Sequence, residues 1–159
     1  MKTFPMFLKM AGRRVVIFGG GEQAAQKTRL MLKTEAEIVV VAAELEPELA
    51  GLASGGRIRH WTKVAPDLFE NTALVFVATG DRATDEPLAA LARAAGVVTN
   101  VVDAPDLCDA FTPSIVDRDP LVVAIGTEGA APVLGRQIRA NLETMLEPRL
   151  GDLVALAGR

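Results

Sequence analysis

The stretch Val15-Val16-Ile17-Phe18-Gly19-Gly20-Gly21-Glu22-Gln23-Ala24-Ala25 decides the fold. An apolar, mostly β-branched run leads straight into a turn of the pattern G-x-G-x-x-A, and the residues from Gln23 onward read as a helix. Each small residue has a physical task in such a turn. Gly19 permits the tight bend, Gly21 lets the backbone approach a pyrophosphate, and Ala24 allows the helix to pack closely on the strand. The helix N-terminus then presents free N–H groups and the positive end of its dipole to phosphate. Glycine turns are common. This one gains weight from the strand before it, the helix after it and a further strand at Glu37–Val41.

Working outward, the apolar runs at Arg14–Phe18, Glu37–Val41, 73–78, 97–102 and Leu121–Ile125 are rich in Val and Ile and nearly continuous. That is the pattern of parallel strands covered on both faces. Residues 58–61 are a weaker strand candidate. Segments 23–33, Pro47–Ser54 and 84–95 have helical character, so strand and helix alternate as in α/β proteins. The pattern changes after Val102. Asp103-Ala104-Pro105-Asp106 reads as a turn, followed by an extended piece at 111–116, a turn at 117–120, the run Leu121–Ile125 and a long helix over 131–147. The expected architecture is a Rossmann-type parallel sheet in residues 1–110, followed by a small α+β dimerisation unit in residues 111–159. The chain stops at Gly158-Arg159 within an expected last helix, as a module cut from a longer protein would.

Half of the 159 residues are hydrophobic, enough for a packed core and too many for a disordered chain. A formal charge of -3 gives no whole-molecule attraction to nucleic acid or to an anionic membrane. The single cysteine, Cys108, excludes an internal disulfide and a Cys-rich zinc site. The apolar start of the chain is broken by Pro5, Lys9 and Arg13-Arg14 before a signal or span could form. A cytoplasmic location is the expectation. At the end of the second strand, Val41-Ala42-Ala43 supplies no acid for an adenosine ribose, and Glu44 is the nearest. Two readings stand for Glu44, a ribose acceptor or a solvated residue before a helix. No arginine follows that strand closely enough to claim a 2′-phosphate, which favours NAD over NADP.

Six segments stand out along the chain, and two of them, Asn100-Val101-Val102-Asp103 and Pro113-Ser114-Ile115-Val116-Asp117-Arg118, are far more specific than any glycine turn. The first three are Phe4-Pro5-Met6-Phe7, the glycine turn running into Gln26-Lys27, and Val77-Ala78-Thr79-Gly80-Asp81. Further on come Asn100-Val101-Val102-Asp103-Ala104-Pro105, Thr112-Pro113-Ser114-Ile115-Val116-Asp117-Arg118 and Ala131-Pro132-Val133-Leu134-Gly135-Arg136. In these the chain resembles the precorrin-2 dehydrogenase/sirohydrochlorin ferrochelatase family, the N-terminal module of siroheme synthase. The resemblance implies NAD-dependent oxidation of precorrin-2 to sirohydrochlorin, followed in many members by insertion of ferrous iron. It implies cofactor contacts at Glu22, Gln23, Ala43 and Glu44, with Gly19, Gly20, Gly21 and Thr79 completing the set. It also implies a homodimer formed by the C-terminal half, a tetrapyrrole substrate and a link to a uroporphyrinogen methyltransferase, fused or separate. The methyltransferase itself is absent from this chain.

The same resemblance gives Asp103 the central catalytic role. A carboxylate at the carboxyl end of a strand could accept protons in either step and transiently hold the metal, with no stable metal site expected. The other reading of Asp103 is a turn residue before Pro105. On this view the phosphate turn and Asp103 are remote and chemically independent. A polycarboxylate substrate calls for cations, and Arg118, Arg136 and Arg139 are the candidates; each is otherwise an ordinary solvated charge. The family usually has Asp where Gly80 stands and Asn where Asp85 stands. Its turn after the last strand reads Gly126-Thr127-Glu128-Gly129 here. Thr127 aligns with a regulatory phosphoserine of some members, and Glu128 places a negative charge near an anionic substrate. His60 and Cys108 match no motif and read as structural. The rival function is an NAD- or tetrapyrrole-binding module without turnover.

Overall fold

The computed structural model describes residues 1–158, and Arg159, the last residue of the expected second unit, lies outside the described residues. The chain divides into two compact units, one from Met6 to Ala110 and one from Phe111 onward together with Met1–Pro5. The first five residues thus group with the second unit, whereas the sequence reading places them in the first.

The larger unit runs β1 (Arg14–Phe18), α1 (Glu22–Met31), β2 (Glu37–Val41), α2 (Pro47–Ser54), β3 (Arg59–Trp61), β4 (Thr72–Val77), α3 (Arg82–Ala94) and β5 (Thr99–Val101). All neighbouring strands are parallel, in the order β3-β2-β1-β4-β5, which is the expected Rossmann-type sheet. Strand order reverses at β1, so a crevice is expected beyond the carboxyl ends of β1 and β4. Successive side chains of β1 serve opposite faces. Val16 and Phe18 join Ala89 and Ala92 of α3 in one core layer. Val15 and Ile17 join Ala24 and Ala25 of α1 and Leu49 of α2 in the other. Burial on both sides is why these strands read as unbroken apolar runs. The edge strand β3 leaves Arg59 and His60 exposed, which accounts for its weak signal. Val97 donates its N–H to Ala92 O and so closes α3 rather than opening β5, which shortens the run expected at 97–102.

The second unit contains the antiparallel pair β6 (Ser114–Arg118) and β7 (Leu121–Ile125), then α4 (Pro132–Met145) and α5 (Leu150–Ala157). By composition Leu121–Ile125 looks like the parallel strands, but it pairs antiparallel and alternates between half-buried and exposed residues. Among the described residues, Val116 is the only buried hydrophobic side chain of this unit. Leu134 and Ile138 on α4 and Leu153 and Leu156 on α5 are exposed, as is Met145 at 74%. Among the described residues, no helix is long and apolar enough to cross a membrane.

Candidate active site

The turn between β1 and α1 is held by close backbone approaches that only glycine allows. Gly19 has φ +118°, and a β-carbon there would collide with Ala78 O. A β-carbon on Gly20 would meet the carbonyl oxygen of Glu44, so the loop after β2 lies directly on this residue. Glu46 N–H donates to Gly20 O at 2.8 Å and fastens the same loop. Gly21 differs from both. Nothing lies within 4 Å of the position its β-carbon would take, and it caps α1 without a side-chain hydrogen bond. The uncapped helix N-terminus with open space before it is what a pyrophosphate requires. Ala24 is fully buried against the sheet, as its place in the pattern predicts.

An open cleft of about 390 Å³ lies at the carboxyl ends of β1, β2 and β4, where it includes Gly19, Gly20, Ala43, Glu44 and Thr79. Lys63, delivered by the segment after β3, joins the same wall. No pattern at the end of β2 points to it, because it lies beyond β3. A hollow of about 440 Å³ along His60–Asp67 shares Thr62, Lys63 and Val64 with the cleft but includes no part of the glycine turn. The glycine turn lines only the cleft. Glu22, the first residue of α1, receives hydrogen bonds from Arg29 (2.7 Å) and Gln26 (3.1 Å). The Arg29 bond holds its carboxyl below the usual range. Arg29 also reaches Glu48, so the cluster Glu22, Glu46 and Glu48 already contains its own cation.

Thr79 points its hydroxyl at Asp85 Oδ1 (2.6 Å), and its N–H donates to the same oxygen at 3.3 Å. Asp85 lies in the first turn of α3, 4% exposed, so this carboxylate braces the wall of the cleft. An amide oxygen could accept the same two bonds without burying a charge. Asp85→Asn is therefore expected to change unfolding free energy by less than about 1 kcal/mol, whereas Asp85→Ala leaves Thr79 unsatisfied and costs about 1–3 kcal/mol. Urea denaturation of both variants checks this.

Asp103 follows β5 with φ 57°, in the left-handed region that a non-glycine residue enters only when its surroundings hold it there. The surroundings are identifiable. Cys108 Sγ accepts from Val101 N–H (3.2 Å) and lies 3.2 Å from Val101 O and 3.4 Å from Ala104 O. Asn100 Nδ2 donates to Ala110 O (2.8 Å), and Asp109 accepts from Thr99 N–H (3.1 Å) and Arg93 (2.9 Å). Burial pushes the Cys108 thiol up, so it remains a neutral clamp. The Asn-Val-Val-Asp segment is in this sense a device for presenting its last residue.

The exposed Asp103 carboxylate does not stand apart from the glycine turn. Gln23 Nε2, in the first turn of α1, donates to Asp103 Oδ2 at 2.9 Å. The independence expected from sequence separation is replaced by a direct link across 80 positions. A β-carbon on Gly80 would stand 3.7 Å from Gln23 Oε1, so this position faces the same pair. One turn further along α1, the Lys27 ammonium lies 5.1 Å from the centre of the Phe76 ring. Burial lowers its pKa, while Cys108 and Asp103 favour its charged form. Lys27 was singled out in sequence only as part of a motif, with no role attached.

The three arginines fall in the second unit. Arg118 donates to Glu143 O and Leu146 O at 3.1 Å, where α4 ends, and to Asp117 O at 3.0 Å. It therefore serves carbonyls that the helix leaves unpaired. Arg139 pairs with Glu143 at 3.0 Å, and Arg136 is exposed with no ion pair among the described residues. Glu128 accepts from the backbone N–H of Lys2 (2.5 Å) and Thr3 (3.1 Å) and so ties down the start of the chain. His60 Nε2 bonds Ala42 O at 2.9 Å, a structural contact.

Residues 6–114 match the model of a family described as putative NAD(P)-binding. The chain is 45% identical over 159 residues to a siroheme synthase of Methylococcus capsulatus, covering 99% of this chain and 33% of that protein. It is 46% identical over 161 residues to a siroheme synthase of Pseudomonas putida, covering 100% and 34% respectively. The chain thus spans about a third of the length of these curated relatives. Among solved structures it resembles "SirC, precorrin-2 dehydrogenase", with a TM-score of 0.78, 25% identity, and coverage of 96% of this chain and 76% of that one. The chain belongs to the family described as putative NAD(P)-binding, whose model it matches over residues 6–114.

Proposed function

We propose that this chain oxidises precorrin-2 to sirohydrochlorin with NAD, as a step in making siroheme. The observation that carries the reading is the bond from Gln23 to Asp103, which joins the helix of the phosphate turn to a carboxylate at the mouth of the sheet. Oxidation removes two hydrogens from the macrocycle, one as a hydride and one as a proton. NAD held at Gly19–Gly21 would accept the hydride. Asp103 takes the proton at its carboxylate, and Gln23 orients that carboxylate through Oδ2. Glu44 favours a free ribose at the adenosine end of the cleft, and Lys63 is the side chain that would receive a 2′-phosphate instead. Arg136 and Arg139 are the proposed contacts for substrate carboxylates; Arg118, with its guanidinium on α4, is the least available.

Insertion of ferrous iron, if it follows, must strip two pyrrole protons, and Asp103 is the acceptor assigned to that step as well. Supplying precorrin-2 with NAD or NADP, then ferrous iron, and following the absorbance spectrum tests the whole reading. A spectrum that becomes that of sirohydrochlorin only with NAD is the expected result. No change with either cofactor would leave a binding module.

The chain is also proposed to be a homodimer joined through its second unit. A unit with one buried hydrophobic side chain among the described residues, and with exposed Leu134, Ile138 and Met145 along a single helix, needs a partner surface. Light scattering at micromolar concentration is expected to give twice the chain mass, and a stable monomer would refute the assignment.

A further inference from the structure

We propose that Asp85 is a positioning residue for the cofactor: it commits the Thr79 hydroxyl to accept from the cleft, where that oxygen recognises a hydroxyl of the nicotinamide-side ribose. This rests on the reading of the cleft as an NAD site and gives a buried side chain a role beyond bracing the wall.

The hydrogen bonds at Thr79 fix the direction. A hydroxyl has one hydrogen to give and two lone pairs to receive with. Thr79 Oγ1 stands 2.6 Å from Asp85 Oδ1 and 3.3 Å from Asp81 O. A carboxylate only accepts, and its charge strengthens the shorter bond, so the hydrogen goes to Asp85. One lone pair of Thr79 receives the Asp81 N–H at 3.2 Å. The other is left for the cleft, whose wall Thr79 helps to form. Asp85 itself is held in place. It lies 4% exposed in the first turn of α3, where the helix dipole favours a carboxylate, and it also accepts the Thr79 N–H at 3.3 Å.

A ligand group that meets Thr79 must therefore be a donor. Phosphate oxygens accept only and carry charge, so they are turned away from Thr79 and Asp85 toward the open N-terminus of α1 at Gly21. A ribose hydroxyl can donate. Strand order decides which ribose. β1, which carries the phosphate turn, lies between β2 and β4. A dinucleotide with its pyrophosphate over β1 places one nucleoside toward each neighbouring strand. Glu44 follows β2, the side assigned to adenosine, whereas Thr79 follows β4, on the side of β5 and Asp103. A β-carbon on Gly19 would stand 3.2 Å from Thr79 N, so Thr79 borders the phosphate turn. The sugar that adjoins the pyrophosphate on this side is the nicotinamide ribose.

The test is calorimetry on the full chain with two ligands, while the thermal midpoint is followed alongside. ADP ends at the pyrophosphate, and ADP-ribose adds the second sugar. Asp85→Ala frees the Thr79 hydroxyl to turn. It is expected to weaken ADP-ribose about fivefold to tenfold, the effect of one lost hydrogen bond, and to leave ADP within about twofold of the parent. Asp85→Asn, whose amide oxygen can take both bonds from Thr79, is expected to restore ADP-ribose binding. If Asp85→Ala does not fold, Thr79→Val takes its place, since it removes the acceptor itself and should show the same contrast. Parent-like ADP-ribose binding in the alanine variant overturns the proposal. Equal loss of both ligands overturns it as well, because Asp85 would then be a brace and nothing more. So does an asparagine variant as weak as the alanine one. A folded parent that binds neither ligand removes the NAD reading, and the role of Asp85 goes with it.

Discussion

Asp103→Asn is expected to slow precorrin-2 oxidation by at least about 100-fold, the usual consequence of removing a general base. Asparagine is the right probe for two reasons that come from the structure. Position 103 has φ 57°, and among residues with a side chain Asn tolerates that conformation as well as Asp does. Its amide oxygen can still accept from Gln23, so the first turn of α1 keeps its partner. Asp103→Ala would lose both features and mix a backbone penalty with a chemical one. NAD affinity and the thermal midpoint of the Asn variant should therefore stay near those of the parent. Near-normal oxidation would mean that Asp103 only positions the macrocycle and that solvent or a substrate carboxylate takes the proton. Loss of iron insertion alone would confine Asp103 to that step.

Gly21→Val is expected to weaken NAD binding at least about 100-fold, or roughly 2.7 kcal/mol, while the chain still folds. The space that a β-carbon would enter is open, and φ is -99°, so valine has no clash to relieve. Only the loss of glycine at a helix cap weighs against stability, about 1 kcal/mol at most. Valine methyl groups would stand in front of the N–H groups that meet the pyrophosphate. Gly20→Ala makes the contrast, because its β-carbon would collide with the Glu44 carbonyl and cost about 1–3 kcal/mol of stability. Calorimetry with NAD and thermal unfolding of both variants separate a blocked ligand from a broken loop. Undiminished binding by Gly21→Val would move the cofactor elsewhere.

The parts of the fold visible in the sequence are those where burial imposes a pattern. β1, β2 and α2 lie where the apolar runs and Pro47 place them, because a strand covered on both faces has almost no polar choices. The hairpin strand Leu121–Ile125 carries the same composition, and nothing in composition distinguishes its antiparallel partner Ser114–Arg118 from a parallel one. The glycine turn was legible in its place between β1 and α1 and in the tight bend at Gly19. The contact from Gln23 to Asp103 was not, since no local pattern encodes a meeting across 80 residues. Arg118 was visible as a cation, but its destination at the carbonyls of α4 depends on where the hairpin meets that helix.

The left-handed backbone at Asp103 sets the chemistry proposed for this residue against the demand for heat resistance. Glycine is the residue that best suits that conformation, and it would relieve a small but real penalty at this position. A library of this chain screened for thermal survival alone would therefore enrich glycine there and discard the carboxylate. A stabilised version used as a scaffold has to hold position 103 constant and seek its gains elsewhere.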